Sequence, residues 1–358
     1  MTEALNAGSV IGILGGGQLG RMLSVAAARL GYRCHIYDPA THIPAADVAA
    51  MVTNAAWDDE TALARFAASV DVITFEFENI PTATLDFLEP LRPIRPGRRA
   101  LAVSQDRLSE KAFLRDLGLQ TAPFASVDCL DALKHALGAI GAPAILKTRR
   151  MGYDGKGQAR LESPDDTAAA WQAMQDAPAI LEGFVPFSHE VSVIAARGVT
   201  GEVAAFDPGE NLHKSGILHE TRVPARLSAS QRTDAILMAA KILNALDYTG
   251  VLGVEIFVTP QALIVNEIAP RVHNSGHWTQ NGCAVDQFEQ HIRAVTGLPL
   301  GDGQRHSDVV MTNLIGDDLD QLPDLLRAPH AAVHLYGKPQ ARPGRKMGHV
   351  NRIIPASR

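Results

Sequence analysis

The sequence predicts a layered chain that mixes α/β and α+β architecture. It reads as an N-terminal unit of alternating strands and helices, a longer middle unit, and a small β-rich C-terminal segment. Three observations predict this. Short apolar runs alternate with helical spacing through the first part of the chain, as in helices laid over a parallel sheet. A glycine-studded basic loop, Lys147 to Gln158, follows the apolar stretch Ala144 to Leu146. Two Val/Ile-rich segments, Gly250–Val258 and Leu263–Ile268, each carry one glutamate, Glu255 and Glu267.

Taken in order, Val10–Leu14 is an apolar run of buried-strand type. Gly15-Gly-Gly-Gln-Leu-Gly20 turns it into an Ala/Leu-rich helix that runs through Leu30 and ends near Gly31. Arg33–Tyr37 and Val70–Phe75 are further strands, and the proline-rich stretch Pro90–Pro96 closes the first unit. Arg107–Leu117 is helical, with Gly118 as its stop. Pro143–Lys147 and Ala179–Val185 are strands around the glycine loop, and Ser188–Arg197 is another. Ser228 caps a helix reaching Leu246, with apolar residues spaced at Ile236, Ala239, Ala240 and Leu243. The pair Gly250–Val258 and Leu263–Ile268, broken at Pro260, sets Glu255 and Glu267 side by side. Beyond about Gly301 the chain reads as a small β-rich appendage.

Composition narrows the function classes. At 358 residues the chain holds two or three domains. A net charge of −6 gives no reason to expect a nucleic-acid partner. The charge is uneven, however: Lys338, Arg342, Arg345, Lys346, Arg352 and Arg358 follow one another with no acidic residue between. That bias suits a phosphate-bearing ligand, with a solvated basic tail as the alternative. The cysteines, Cys34, Cys129 and Cys283, lack metal-ligand spacing and point to a reducing compartment. The opening MTEALNAGS carries no signal-peptide pattern, and no apolar run reaches membrane length, so the expectation is a cytoplasmic protein with no membrane partner.

The chemistry lies in the loop and the glutamates. Gly152, Gly155 and Gly157 let a backbone close over phosphates, and Lys147 and Lys156 supply positive charge. Glu255 and Glu267 offer the hard oxygen ligands that a nucleotide-bound magnesium ion needs. Together they read as an ATP-using enzyme. The bland readings are strand-face charges for the glutamates, a snorkelling Lys147, and solvated loop charges for Arg149 and Arg150. The first glycine loop offers a rival: Gly15, Gly17, Gly20 and Asp38 make a passable dinucleotide fingerprint, implying an oxidoreductase. A dehydrogenase gives no reason for a second phosphate loop or paired glutamates. The first loop is therefore read as helix N-terminal amides offered to some phosphate.

Several segments, in order, resemble the ATP-grasp carboxylases of purine synthesis. They are GILGGGQLGRM (12–22), TFEFENIP (74–81), QDRLSEK (105–111), AILK (144–147), MGYDGKGQ (151–158), EGFV (182–185) and NEIAPRVHNSGH (266–277). The resemblance implies an ATP-grasp fold with three domains. Residues 1–105 would be Rossmann-like, residues 106–300 a two-lobed grasp hinged near 182–186, and residues 301–358 a small β-rich domain. It implies that ATP, bicarbonate and 5-aminoimidazole ribonucleotide give ADP, phosphate and an N5-carbamate through carboxyphosphate, and it implies a homodimer. The nearest enzymatic rival is the formate-dependent glycinamide ribonucleotide transformylase of the same fold; Gln18-Leu19 favours the carboxylase. A degenerate binding module is disfavoured, because the metal carboxylates and phosphate lysines are intact.

The site residues follow from the same resemblance. Arg107 and Lys147 would contact the nucleotide, and Gly152, Tyr153, Asp154, Gly155, Lys156, Gly157 and Gln158 would fold over its phosphates. Glu182, Gly183, Phe184 and Val185 would hold adenine, chiefly through backbone, and Glu190 the ribose hydroxyls. His213 and Asn266 would join the ATP site, and Glu255 and Glu267 would hold Mg2+. Gln18, Leu19, Glu76, Asn274, Ser275, Arg345 and Lys346 would bind the ribonucleotide. Tyr153, Asp154, Arg271 and His273 would lie on the reacting side, and Lys338 stands as a weaker candidate.

Overall fold

The computed structural model describes residues 4–152 and 157–354. They form three sheets. The first is parallel, in the order β3-β2-β1-β4, from β1 (Val10–Leu14), β2 (Arg33–Tyr37), β3 (Met51–Thr53) and β4 (Val72–Phe75). Its helices are α1 (Gln18–Arg29), α2 (Glu60–Ala68), α3 (Thr82–Leu88) and α4 (Arg98–Ser104). The chain leaves β1 for β2 on one side, and β4 adds on the other. The turn after β1 therefore sits at the point where strand order reverses, which is where open α/β sheets place ligands.

The second sheet is antiparallel, in the order β5-β8-β6-β7, built from β5 (Phe124–Val127), β6 (Ala144–Thr148), β7 (Gln158–Leu161) and β8 (Ala179–Gly183). It follows α5 (Arg107–Asp116), whose N-cap Asp106 accepts hydrogen bonds from Leu108 and Ser109. Helices α6 (Leu130–Ile140) and α7 (Thr167–Ala173) close its core with Leu133, Leu137, Leu146, Trp171 and Leu181. Arg149 and Arg150 are not solvated loop charges. Arg149 grips Asp106 with Nε and Nη2 at 3.0 and 2.8 Å, and Arg150 donates to Gln105 Oε1 at 2.8 Å. Both arginines thus tie the end of β6 to the start of α5.

The third sheet runs β14-β13-β9-β11-β12-β15-β17-β16, with β10 on β9. Its strands are β9 (His189–Arg197), β10 (Val203–Ala205), β11 (Gly209–Lys214), β12 (Ile217–Val223), β13 (Gly250–Val258), β14 (Leu263–Ala269), β15 (Asp308–Ile315), β16 (Ala331–Leu335) and β17 (Lys346–Ile354). Four helices accompany them: α8 (Ala229–Ala245), α9 (Thr279–Gly282), α10 (Gln287–Thr296) and α11 (Leu322–Arg327). Ser228 and Gln231 form a full capping box at the start of α8. The C-terminal strands are not a detached appendage, because β15 pairs antiparallel with β12 and extends the same sheet. One hydrophobic core joins α1 to α10 and to this sheet through Leu23, Ile194, Val251, Phe288 and Ile292. His291 stitches the same junction, bonding Thr74 Oγ1 at 2.8 Å and the Val251 amide at 3.1 Å.

Candidate functional site

Strand parity builds the centre of the site. Glu255 on β13 pairs with Ser192 on β9 and Glu267 on β14, while Phe257 pairs with Glu190. Residues paired across a ladder share a face, as do alternate residues along a strand. Glu190, Ser192, Glu255, Phe257 and Glu267 therefore line one face. Val191, Val193, Val254, Ile256, Val265 and Ile268 fill the other, against Ala239, Ile242 and Leu243 of α8. The ladder steps from Glu255–Glu267 to Ile256–Val265, which leaves Asn266 as an extra residue on β14. This bulge turns Glu267 to the cleft while Val265 stays in the core, a re-aiming that bulges beside functional sites commonly perform.

The charges are strongly partnered. Arg107 Nη1 donates to Glu267 Oε2 at 2.7 Å, and its Nη2 donates to the Gly152 carbonyl at 3.2 Å. Burial pushes the Glu267 carboxyl up, but the Arg107 guanidinium outweighs it and holds the group at about 2. Glu267 nevertheless keeps 37% of its side-chain surface open to the cleft. Lys147 Nζ binds Glu182 Oε2 at 3.0 Å, and the buried Lys111 lies 3.4 Å from the same oxygen. Lys111 also donates to the Asn266 carbonyl at 2.5 Å, so one lysine spans both grasp sheets.

On the other side stand Glu190, His213 and Glu255, with one ligand atom from each inside a 4.8 Å span. Burial, then the nearby Glu267 charge, raises Glu190 to about 7. Burial, then Glu190 and Glu267, holds Glu255 well above the usual carboxylate range. Crowded carboxylates that resist ionising favour a hard divalent cation, whose charge would relieve both desolvation and repulsion. The carboxylates are the hard oxygen donors that a divalent cation such as magnesium takes, with the His213 nitrogen beside them.

At the hinge, the Glu182 side chain is taken by the two lysines. The Gly183 and Phe184 amides donate to the Pro123 and Pro143 carbonyls at 2.8 and 3.1 Å. Among the described residues the Val185 amide has no such partner, which leaves it for a base edge. Gln158 pairs with Lys147 across β6–β7. Gly157 has φ +68°, and a Cβ there would meet Thr148 Oγ1 at 2.6 Å, so only glycine suits the loop's exit. Tyr153, Asp154, Gly155 and Lys156 lie outside the described residues.

The loop after β14 carries the remaining candidates. Arg271 forms a two-point ion pair with Glu78, joining the first unit to the grasp. His273 Nε2 lies 3.4 Å from Glu255 Oε1, and its Nδ1 is 2.8 Å from Ser275 Oγ, which also receives a bond from Ser192 Oγ at 2.7 Å. Burial, then the Arg271 and Lys346 charges, drives His273 down to about 3, so it is a neutral imidazole. Asn274 exchanges two amide hydrogen bonds with Asn313, at 3.0 and 2.7 Å.

The first glycine loop narrows one expectation. Three of its amides are taken within the protein: Gly16 donates to Asp38 at 2.7 Å, and Gly17 and Gly20 donate to Glu76 at 2.5 and 2.9 Å, which leaves the Gln18 and Leu19 amides at the start of α1 to face a ligand. A Cβ on Gly17 would lie 2.5 Å from Glu76 Oε1, so the close approach needs glycine. Two carboxylates thus occupy the anion place that a dinucleotide pyrophosphate would take. The Leu19 side chain is buried in the core, so only its backbone can face a ligand. Gln18 Oε1 accepts from Lys338 Nζ at 2.6 Å, and Lys338 also reaches the Lys346 carbonyl at 2.7 Å. Arg345 turns aside and donates to the Gln340 carbonyl at 3.0 Å.

Sequence reasoning missed Lys111, Glu78, Asn313 and Gln287. Both Lys111 and Glu78 sit inside motifs already singled out; charge among phenylalanines was the available signal for Glu78, whereas Lys111 lies in the polar run QDRLSEK and carried none. Asn313 and Gln287 carried none.

The family comparisons agree with this geometry. Residues 9–105 match the ribonucleotide synthetase preATP-grasp domain, 112–288 the ATP-grasp domain, and 309–356 the phosphoribosylaminoimidazole carboxylase C-terminal domain. The N5-carboxyaminoimidazole ribonucleotide synthase of Brucella melitensis is 57% identical over 98% of this chain and 98% of its own length. That of Bacillus subtilis is 41% identical over 96% and 91%. A crystal structure of the synthetase from Thermus thermophilus superposes with TM-score 0.90 at 44% identity, covering 96% of this chain and 93% of that one. The Aspergillus clavatus synthase in complex with ADP and 5-aminoimidazole ribonucleotide gives TM-score 0.92 at 32% identity, covering 98% and 94%. The architecture is an ATP-grasp fold with a pre-ATP-grasp domain before it and the carboxylase C-terminal domain after it.

Proposed function

This chain belongs to the N5-carboxyaminoimidazole ribonucleotide synthase family, and from that premise we propose how its site works. It is an ATP-dependent ligase that carboxylates 5-aminoimidazole ribonucleotide to the N5-carboxyamino product in purine biosynthesis. Our reading of the site is that bicarbonate attacks the γ-phosphate of ATP, giving ADP and carboxyphosphate. The substrate amine then captures the carboxyl carbon, and phosphate leaves. The single observation that carries this reading is the carboxylate face Glu190–Glu255–Glu267 set opposite the cations Arg107 and Lys147.

Bound magnesium would supply charge neutralisation at the transferring phosphoryl group, held by Glu255 and Glu267. Lys147, steadied by Glu182, would face the phosphates, and the Val185 amide would receive the adenine edge. Arg107 holds Glu267 ionised and ready for a cation. Arg271 stands between Glu78 and the glutamate face, where a carboxyphosphate anion would pass toward the amine. Neutral His273 can hydrogen-bond that anion or the amine without adding charge. Gln18, Glu76 and the Lys338–Lys346 corner would bound the ribonucleotide, and water must be kept out because it hydrolyses the intermediate.

Tyr153 and Asp154 are proposed to reach the reacting groups from the loop. An Asp154→Asn variant with near-normal turnover would remove that role. The domain division 1–105, 106–300 and 301–358 is proposed with it, together with a homodimer and a cytoplasmic location. No helix among the described residues is long and apolar enough to cross a membrane.

The test is magnesium-dependent phosphate release from ATP. Aminoimidazole ribonucleotide plus bicarbonate should stimulate it, whereas glycinamide ribonucleotide plus formate should not. Stimulation by the formate pair alone would overturn the acceptor assignment.

A further inference from the structure

We infer that Gln287 is a positioning residue for the carboxylation step, acting through His273. Gln287 is the first residue of α10 and is fully buried. Its backbone amide is anchored to Thr279 Oγ1 at 3.0 Å. Its side chain spends every polar atom on the site loop. Oε1 accepts the His273 N–H at 2.9 Å, while Nε2 donates to the His273 carbonyl at 2.7 Å and to His277 Nδ1 at 2.9 Å. The carboxamide thus grips one residue's backbone from both ends. It cannot flip, because a flipped amide would set donor against donor and acceptor against acceptor.

The grip fixes where the His273 ring stands, with Nε2 toward Glu255 and Nδ1 toward Ser275. A second feature is built around the same contact. A Cβ on Gly276 would lie 2.6 Å from Gln287 Oε1, so the loop uses glycine where the carboxamide approaches. One turn further along α10, Gln290 makes the equivalent two-point grip on Gly301, at 2.8 Å each way, remote from the site. The helix therefore carries one glutamine for the reacting loop and one for an ordinary connection. Gln290 is the internal control.

Misplacing a reacting group by about 1 Å can lower turnover on the order of a hundredfold. The inference rests on the carboxylase reading of the site, and the experiment separates the two. The full-length protein is assayed as wild type, Gln287→Met, His273→Ala and the double variant, with kcat and KM measured for both ATP and aminoimidazole ribonucleotide. Gln287→Met should lower kcat at least about tenfold while the KM for ATP moves less than about twofold, as expected when only transition-state geometry is lost. In the His273→Ala background the same change should cost less than about twofold, since coupled residues are not additive. Gln290→Met should add independently to His273→Ala. Additive losses for Gln287, or unchanged turnover in His273→Ala, overturn the inference.

Imidazole nitrogen shifts supply a readout that does not need turnover. His273 should show one fixed tautomer in the wild type and an averaged signal in Gln287→Met. An unchanged signal there also overturns it. If the wild type does not turn over with this substrate pair, the acceptor assignment fails, while the imidazole signal still decides the role of Gln287. Should Gln287→Met not fold, Gln287→Glu replaces it: the shape is kept, and a carboxylate is set against the His273 carbonyl.

Discussion

Glu255 and Glu267 oppose one another across the β13–β14 ladder, yet their carboxyls are shifted in opposite directions. Burial and like-charged neighbours hold Glu255 well above its ordinary range, while Arg107 holds Glu267 at about 2. A divalent cation arriving at this pair meets one carboxylate that Arg107 holds ionised and one whose burial and like-charged neighbours oppose ionisation, a cost the cation's charge would offset. Glu267→Gln removes the ionised member and leaves Arg107 without its partner. A lost charge-assisted contact of about 1.5–3 kcal/mol corresponds to roughly a ten- to hundredfold higher magnesium requirement for phosphate release. Magnesium titrations at saturating ATP measure it. Unchanged magnesium dependence would move the ion elsewhere.

Glu76 connects the first glycine loop to the substrate side. Its carboxylate receives the Gly17 and Gly20 amides, so Glu76→Gln exchanges one acceptor oxygen for a donor facing an N–H. The loop carrying Gln18 should loosen. We expect the KM for aminoimidazole ribonucleotide to rise on the order of tenfold, the effect of losing about 1.4 kcal/mol. The KM for ATP should stay put, because Glu76 lies in the first unit, away from the carboxylate face. Parallel rises in both constants would show a general collapse of the site.

Much of the site was legible in the chain, for identifiable reasons. Glu255 and Glu267 stand out because charge in a Val/Ile-rich strand needs a partner, and Lys147 because it stands just before the glycine loop. Glu190 was reached only through the resemblance, because alternation within β9 and β13 does not fix the register that sets Glu190 and Glu255 on one face. The Asn266 bulge was not legible, because an extra residue in a ladder leaves no mark in composition. The role of Glu76 was half legible: a carboxylate in an apolar run announces a function, but not that its partners are the loop's own amides. The C-terminal strands read as a separate piece because pairing between β12 and β15 spans roughly ninety residues, a range that local pattern does not reach.

Lys111 should be a stability residue as much as a site residue. Its ammonium is buried, sits 3.4 Å from Glu182 and donates to the Asn266 carbonyl. Lys111→Met leaves Glu182 with Lys147 as its near cation and strands a backbone acceptor. Breaking a buried charged contact in this way costs about 3–5 kcal/mol. Thermal unfolding of the nucleotide-free protein should show the loss, and saturating ATP with magnesium should recover part of it by mass action. A midpoint equal to wild type would mean that Glu182 is satisfied by Lys147 alone.

The acid limb of stability should belong to buried histidines. His291 is held down at about 3 by burial, between Thr74 and the Val251 amide. His273 stands at about 3 as well, and His277, His334 and His349 are also lowered, each led by burial. A depressed histidine pKa means that the unfolded chain binds the proton more readily than the folded one. The stability each group contributes is therefore complete above the unfolded value near 6.5 and declines as pH falls toward the folded value. For His291 that window runs from about 6.5 to about 3. Denaturant midpoints taken across it should fall steadily with acid. His291→Gln keeps an acceptor for Val251 and a donor for Thr74 but does not titrate, so its profile should be flatter than wild type by one group's share. Coincident profiles would show that His291 takes up its proton as readily in the folded chain as in the unfolded one, so that burial at this junction does not oppose its charging.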